Sequence, residues 1–254
     1  MSWPGRDAQK SFPRPRNREI GGYFVGVSAV GLASVQFIPH PTSPISHPLH
    51  MRPGKIVCIG RNYVEHAKEL GNDVPTEPLI FLKPPSSVIA DGAWIERPPQ
   101  SAQVDHEGEI GILIGKSLRR VSEEDAVSGI AGIVAVNDVT ARDLQRKDGQ
   151  WTRAKGFDTF CPVGNVHEGP VDLNALELIT TVNGEVKQRA TSAEMVFKIP
   201  MLLSFISHIM TLEPGDLVAT GTPSGISPLK NGDTVEVTIS GISRVRNPVR
   251  DVVQ

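Results

Sequence analysis

Two Asn-Gly dipeptides set inside alternating apolar runs, Asn183-Gly184 in LITTVNGEVKQ and Asn231-Gly232 in LKNGDTVEVTI, limit what this chain can fold into more than any other feature. Both central residues of a two-residue type I′ turn need positive φ, which Asn and Gly tolerate, and the twist of that turn matches the twist of the strands it joins. Antiparallel hairpins are expected at both places. Short apolar runs at residues 55–59 and 79–82 read as further strands, as does 106–114, where Glu107 and Glu109 alternate with Ile110, Ile112 and Ile114 on the opposite face. A buried strand over 130–136 leads to Asn137 and Asp138. The predicted helices are short. One covers 63–70 and is closed by Gly71, one covers 123–128 behind a Ser122/Asp125 capping pair, and one covers 200–210 with Pro200 in its first turn. No run of alternating βα units is present, which argues against a Rossmann or TIM architecture. The fold class expected is mainly β with short helices.

Composition excludes several kinds of partner. A formal net charge of -2 over 254 residues offers no broad basic field, so neither nucleic acid nor an anionic membrane is expected, and a small molecule is. Cys58 and Cys161 lie far apart and make neither a disulfide framework nor a CxxC metal site, which fits a reducing, cytoplasmic setting. Residues 1–50 read differently from the rest: 1–18 are polar and rich in Arg and Pro, 23–37 small and apolar, 38–48 rich in Pro, His and Ser. The apolar stretch is too short to span a bilayer. Following Arg14, Arg16 and Arg18, it has the layout of a signal-peptide core; a strand packed on the domain and an upstream extension are the other readings, and all three stay open. The division expected is an N-terminal extension over 1–50 and one catalytic domain over 51–254.

The chemistry centres on carboxylates. Residues i and i+2 of a strand share a face with Cβ atoms about 7 Å apart, within reach of one cation. Glu107 and Glu109 meet that condition in a strongly apolar segment, where acids must be solvated, paired or bound to metal. Two acids on an exposed edge would read the same way, but Asp138 ends a buried strand, a place where rigid backbone holds functional side chains. Three carboxylates make an oxygen-rich site suited to Mg²⁺ or Mn²⁺, whereas zinc prefers His or Cys. Two other motifs fail on inspection. In GTPSG the serine, Ser224, is fourth, so this is no G-x-S-x-G nucleophile elbow, and IGKSL lacks the glycine spacing of a phosphate-binding loop.

The strings IGRNYVEHAKELGN, PLIFLKPPSSVI, DHEGEIGILIG, VNDVTARDLQ, WTRAKGFDTFCPVG, VNGE and EPGDLVATGTPSGI occur in an order and spacing that resembles the fumarylacetoacetate hydrolase family over residues 55–249. The likeness is strongest to its short, single-domain branch of acylpyruvate hydrolases, oxaloacetate decarboxylases and isomerases of aromatic meta-cleavage pathways. The resemblance implies a mixed β-sandwich roll, a homodimer, and Mg²⁺ or Mn²⁺ on Glu107, Glu109 and Asp138. It implies that His66 and Glu69, on a short lid helix, form a dyad that activates water, and i, i+3 spacing puts them on one helix face. Lys155 matches a lysine facing the substrate oxyanion, Arg142 and Gln145 match polar residues near metal and substrate, and Thr222 matches a threonine whose hydroxyl or backbone meets the substrate carboxylate. Lys83 matches a family position that either contacts substrate or shapes the pocket wall, and His106 is read as facing away from the metal. With residues 1–50 ahead of the catalytic domain, the additional N-terminal domain of the long fumarylacetoacetases is not expected, which disfavours fumarylacetoacetate as substrate.

The activity implied is cleavage of a C–C bond in a small 2-oxo acid through a metal-stabilised enolate, as an acylpyruvate hydrolase, an oxaloacetate decarboxylase or both. An isomerase or tautomerase using the same intermediate is the alternative, and a non-catalytic 2-oxo acid-binding protein of the same fold is a further one.

Overall fold

The computed structural model describes residues 53–252, so the expectations for residues 1–50 lie outside the described residues. Fourteen strands and five α-helices follow in chain order: β1 (Ile56–Gly60), α1 (Val64–Glu69), β2 (Leu79–Lys83), β3 (Val88–Ile89), β4 (Ile95–Arg97), β5 (Val104–Asp105), β6 (Gly108–Ile114), α2 (Glu123–Val127), β7 (Ile130–Asn137), β8 (Thr140–Ala141), α3 (Arg142–Asp148), α4 (Thr152–Lys155), β9 (Cys161–Pro162), β10 (Glu177–Val182), β11 (Glu185–Thr191), α5 (Ile199–Ile209), β12 (Leu217–Ala219), β13 (Thr234–Ile239) and β14 (Ser243–Asp251). The fold is mainly β, as expected.

One sheet runs β2-β1-β12-β6-β7 and a second runs β11-β10-β13-β14-β4. All neighbours are antiparallel except β1 with β12 and β14 with β4. Strand parity explains how the two sheets meet. Val57, Ile59, Ile110, Ile112, Ile114 and Ile133 turn one face of the first sheet onto Leu178, Val237, Ile239 and Val245 of the second, with Leu202, Leu203 and Ile206 of α5 completing the layer. The opposite face carries Ile56, Cys58, Val134, Val136, Leu217 and Ala219 under Cys161 and Val163. Glu107, Glu109 and Asp138 have the parity of that second face, so the pattern that buries the isoleucines sends the acids the other way.

The Asn183-Gly184 hairpin forms as expected, with φ of 53° and 82° and Val182 paired with Glu185. Asn231-Gly232 is not a hairpin. Only Gly232 takes a positive φ, 89°, and the turn feeds β13 from a loop, held by Gly232 N donating to Val249 O at 2.9 Å and Lys230 N to Asp233 Oδ2 at 2.7 Å. The hairpin of β13 lies at its other end, where Gly241 (φ 69°) turns the chain into β14 and Ile242 N donates to Ile239 O at 2.9 Å. Strand boundaries also shift slightly: β6 starts at Gly108 and not at His106, so Glu107 occupies the break between β5 and β6.

Helix signals were accurate to a residue or two. Ser122 caps α2 by accepting from Asp125 N at 3.1 Å, Pro200 sits in the first turn of α5, and Gly71 takes a positive φ (67°) just past α1. Among the described residues no helix is long and apolar enough to cross a membrane.

Candidate metal and substrate site

Topology fixes where the acids meet. β6 runs antiparallel to both β12 and β7, so its start lies beside the ends of those strands and, through β12, beside the end of the parallel β1. Gly108 pairs with Asn137, which brings Glu107, Glu109 and Asp138 to one end of the sheet with ligand oxygens all within 4.8 Å of one another. The glycine between the two glutamates has a steric cause, since a Cβ at Gly108 would lie 2.0 Å from Thr180 Oγ1 of the second sheet. The E-G-E string is therefore a strand start squeezed between two sheets, one side bearing acids and the other no side chain.

Each carboxylate is held differently. Glu107 takes Lys155 Nζ on Oε2 at 2.7 Å and Arg142 Nη2 on Oε1. Asp138 takes Lys83 Nζ on Oδ1 at 2.7 Å and Lys155 Nζ on Oδ2. Glu109, 1% exposed, accepts only Gly221 N, at 2.8 Å, and has no ion pair among the described residues. Burial works against ionisation of Glu107 and Glu109. Against that penalty, Lys155, Arg142 and His66 hold Glu107 well below the usual carboxylate range. Glu109 goes the other way, raised by burial and then by the charges of Asp138 and Glu107. With Asp105 included, four buried carboxylates face the buried cations Lys83, Arg142 and Lys155, a surplus of negative charge centred on Glu109. An all-oxygen donor set with an uncompensated carboxylate fits a hard divalent cation.

Arg142, at the start of α3, is a fully used fork: Nε donates to Asp105 Oδ2 at 2.9 Å, Nη1 to Gln145 Oε1 at 2.6 Å, and Nη2 to Glu107. Asp105 also accepts from Gln103 Nε2, at 3.1 Å, and so fixes the guanidinium that fixes Glu107. Lys155, from α4, lies against the Phe81 ring at 4.9 Å as well as between Glu107 and Asp138. Lys83 has a side chain with no exposure, sits behind Asp138 and is not among the residues lining the cavity, so it acts there by holding Asp138.

A cavity of about 410 Å³ opens over the acids, lined by His66, Asn72 and Arg61 on one side and by Arg142, Gln145, Trp151, Lys155 and Thr222 on others. His66 is 4% exposed and its Nδ1 lies 3.3 Å from Glu69 Oε2. Glu69 Oε1 accepts from Gly225 N at 3.0 Å, which ties α1 to the GTPSG loop. At the other end of α1, Asn62 bonds Thr220 O and Phe197 O and N at 2.8, 3.1 and 2.8 Å. Burial lowers the His66 pKa, more than Glu107 and Glu69 raise it. The Glu69 contact places the proton on Nδ1 and leaves Nε2 with a lone pair.

The hydroxyl of Thr222 is committed, donating to Gly108 O and accepting from Gln188 Nε2, both at 2.8 Å. Of the two expected modes of contact with a substrate carboxylate, only the backbone N–H stays open. Gln188, 1% exposed on β11, was not singled out by sequence, yet it binds Gly108 N at 3.0 Å, His106 Nδ1 at 3.2 Å and Pro223 O at 2.8 Å in addition. His106 points to Gln188 and Ser227 and does not line the cavity, as expected.

Comparison with known proteins identifies the family of the chain. Residues 55–250 match the family described as Fumarylacetoacetate (FAA) hydrolase C-terminal. A mitochondrial oxaloacetate decarboxylase of Dictyostelium discoideum is 46% identical over 195 residues, covering 74% of this chain and 89% of that protein. A mitochondrial oxaloacetate tautomerase of Arabidopsis thaliana is 46% identical over 198 residues, covering 76% and 89%. Among solved structures, 2-hydroxyhepta-2,4-diene-1,7-dioate isomerase from Mycobacterium marinum superposes with a TM-score of 0.74 at 45% identity, covering 80% of this chain and 77% of that one.

Proposed function

The chain belongs to the fumarylacetoacetate hydrolase family, and from that premise we propose that it is a Mg²⁺- or Mn²⁺-dependent enzyme that cleaves a C–C bond in a small 2-oxo acid, as an acylpyruvate hydrolase, an oxaloacetate decarboxylase or both. Glu109 carries the reading: a buried carboxylate without a cation, grouped with Glu107 and Asp138 at the floor of a cavity of ligand size. When bound by these three, a divalent cation supplies positive charge where the keto oxygen of a 2-oxo acid turns into an oxyanion.

The other steps belong to the chain itself. Lys155 and Arg142 keep Glu107 ionised and aimed, and the Thr222 N–H is left to donate to a substrate carboxylate. Gln145, whose Oε1 is taken by Arg142, keeps its amide N–H groups for substrate. In hydrolysis, His66 Nε2 takes a proton from water as the oxygen attacks the distal carbonyl, and Glu69 steadies the imidazolium through Nδ1–H. The bond to the pyruvate fragment breaks, and its electron pair moves into the keto group. In decarboxylation no water is needed: carbon dioxide leaves, the same electron pair moves the same way, and the carbon is protonated afterwards.

His66 can act as base only while neutral. Because burial lowers its pKa, the acid limb of kcat/KM for acylpyruvate hydrolysis should fall below the ordinary histidine value of about 6.5. The same limb should be missing in His66→Gln. A limb above that value, or one that persists in the variant, would remove His66 from this role.

A second reading, tautomerisation, is supported by the relatives named oxaloacetate tautomerase, since it needs only removal and return of a proton beside the keto group. Assays of acetylpyruvate and oxaloacetate in Mg²⁺, in Mn²⁺ and in chelator test both. Pyruvate should appear from either substrate with metal and not with chelator. Enol–keto exchange of oxaloacetate without pyruvate release would favour the tautomerase, and turnover untouched by chelator would end the metal-dependent reading.

A further inference from the structure

Two guanidinium groups in the cavity wall have no acidic partner among the described residues. Arg61 lies in the loop between β1 and α1 and is half-buried, and Arg146 lies on α3, exposed, with only Gln103 Oε1 beside it at 3.1 Å. The other cations of the wall, Arg142 and Lys155, are consumed by Glu107 and Asp138. Arg61 and Arg146 therefore stand outside the ion-paired cluster, as the two guanidinium groups of the lining that no described carboxylate holds.

The backbone of Arg61 gives an independent argument. Its φ is 58°, in the left-handed region that glycine enters freely and a residue with a Cβ enters at a cost, and of the four non-glycine residues with positive φ among the described residues only Arg61 lines the cavity. The loop is pinned on both sides. A Cβ on Gly60 would lie 2.9 Å from the Trp151 ring, and the Asn62 side chain makes three hydrogen bonds to the backbone of Phe197 and Thr220. Where glycine would relax the chain, an arginine is held in a less favourable conformation beside a cavity, and a strained residue of that kind points to use of its side chain.

We propose that Arg61, assisted by Arg146, binds a second carboxylate of the substrate and makes the site selective for 2-oxo dicarboxylic acids over 2-oxo monocarboxylic acids. This rests on the 2-oxo acid reading of the site and not on which reaction follows. A planar guanidinium can take a carboxylate through two parallel N–H donors, and among the described residues Arg61 has no acid to give up first.

Calorimetric binding of a matched pair of unreactive probes separates selectivity from turnover. N-oxalylglycine and N-ethyloxamate share the oxo acid end and differ in that only the first carries a distal carboxylate. With Mg²⁺ present, the full chain should bind N-oxalylglycine about 10- to 100-fold more tightly, the range expected when one charge-assisted hydrogen-bonded pair is added. Arg61→Gly and Arg61→Gln should remove most of that preference while leaving N-ethyloxamate affinity unchanged, and Arg61→Gly should melt no lower than the parent because it relieves the left-handed φ. Arg146→Gln should act in the same direction by less. A preference that survives both Arg61 variants overturns the proposal, as does equal loss on both probes, which would make Arg61 a wall residue. Failure of the parent to bind either probe overturns it together with the 2-oxo acid reading. Failure of oxaloacetate or acetylpyruvate turnover alone would count against the proposed reaction and leave the binding result standing.

Discussion

Glu109→Gln should abolish activity toward both oxaloacetate and acetylpyruvate and weaken Mg²⁺ or Mn²⁺ binding by more than about 100-fold, since groups that merely orient a ligand already cost about 10- to 100-fold when removed. The fold should not suffer. The only hydrogen bond of Glu109 among the described residues is from the Gly221 N–H, which the amide oxygen of Gln still accepts, and the variant replaces an acid whose ionisation is opposed by burial and by the neighbouring Asp138 and Glu107. In chelator, Glu109→Gln should therefore melt at or above the parent, whereas adding Mg²⁺ should raise the melting temperature of the parent alone. Glu107→Gln makes the contrast. It strips one of two carboxylate partners from each of Arg142 and Lys155, both buried, and breaking such a pair costs up to about 3–5 kcal/mol. Activity lost in both variants but stability lost only in Glu107→Gln is the expected pattern. Unchanged metal affinity in titrations of Glu109→Gln would refute the assignment of the cation site.

The acids were legible in sequence because their grouping depends on local rules. Period-two alternation put Glu107 and Glu109 on one face, and the end of an apolar run put Asp138 at a strand terminus; antiparallel pairing of β6 with β7 then joined them. The long-range partners were not legible. Gln188 lies 80 residues from Gly108 in sequence and reads as one polar residue on a half-exposed hairpin strand, yet it is the hydrogen-bond hub between the metal strand and the GTPSG loop. Asp105 was not singled out before the E-G-E string, and only the folded α3 shows it holding Arg142. Arg61 was not singled out within the IGRNY string, because a left-handed arginine after a glycine has no periodicity to betray it. The Asn231-Gly232 error has the same root. An Asn-Gly pair reports that the chain turns, but which strands pair afterwards is decided by the packing of β13 between β10 and β14.

The two chemistries offered by the site should come apart at His66. Hydrolysis needs a positioned water that loses a proton, and general base catalysis typically contributes about 10² to 10⁴ in rate, or about 3–5 kcal/mol of barrier. Decarboxylation needs only an acceptor for the departing electron pair. His66→Ala should therefore cut kcat/KM for acetylpyruvate by roughly that factor and reduce oxaloacetate decarboxylation considerably less. Removal of the imidazole should not release α1, because Glu69 Oε1 still accepts from Gly225 N and Asn62 still anchors the start of the helix. Loss of the base is thereby separated from opening of the site. Glu69→Gln supplies the control: its amide oxygen can keep the Gly225 contact while the negative charge beside Nδ1 is gone, so hydrolysis should fall and decarboxylation hold, in the same direction as His66→Ala but by less. Should kcat/KM for the two substrates fall by one common factor in His66→Ala, the imidazole is serving something both reactions share, such as closure over the substrate, and its assignment as the water-activating base is wrong.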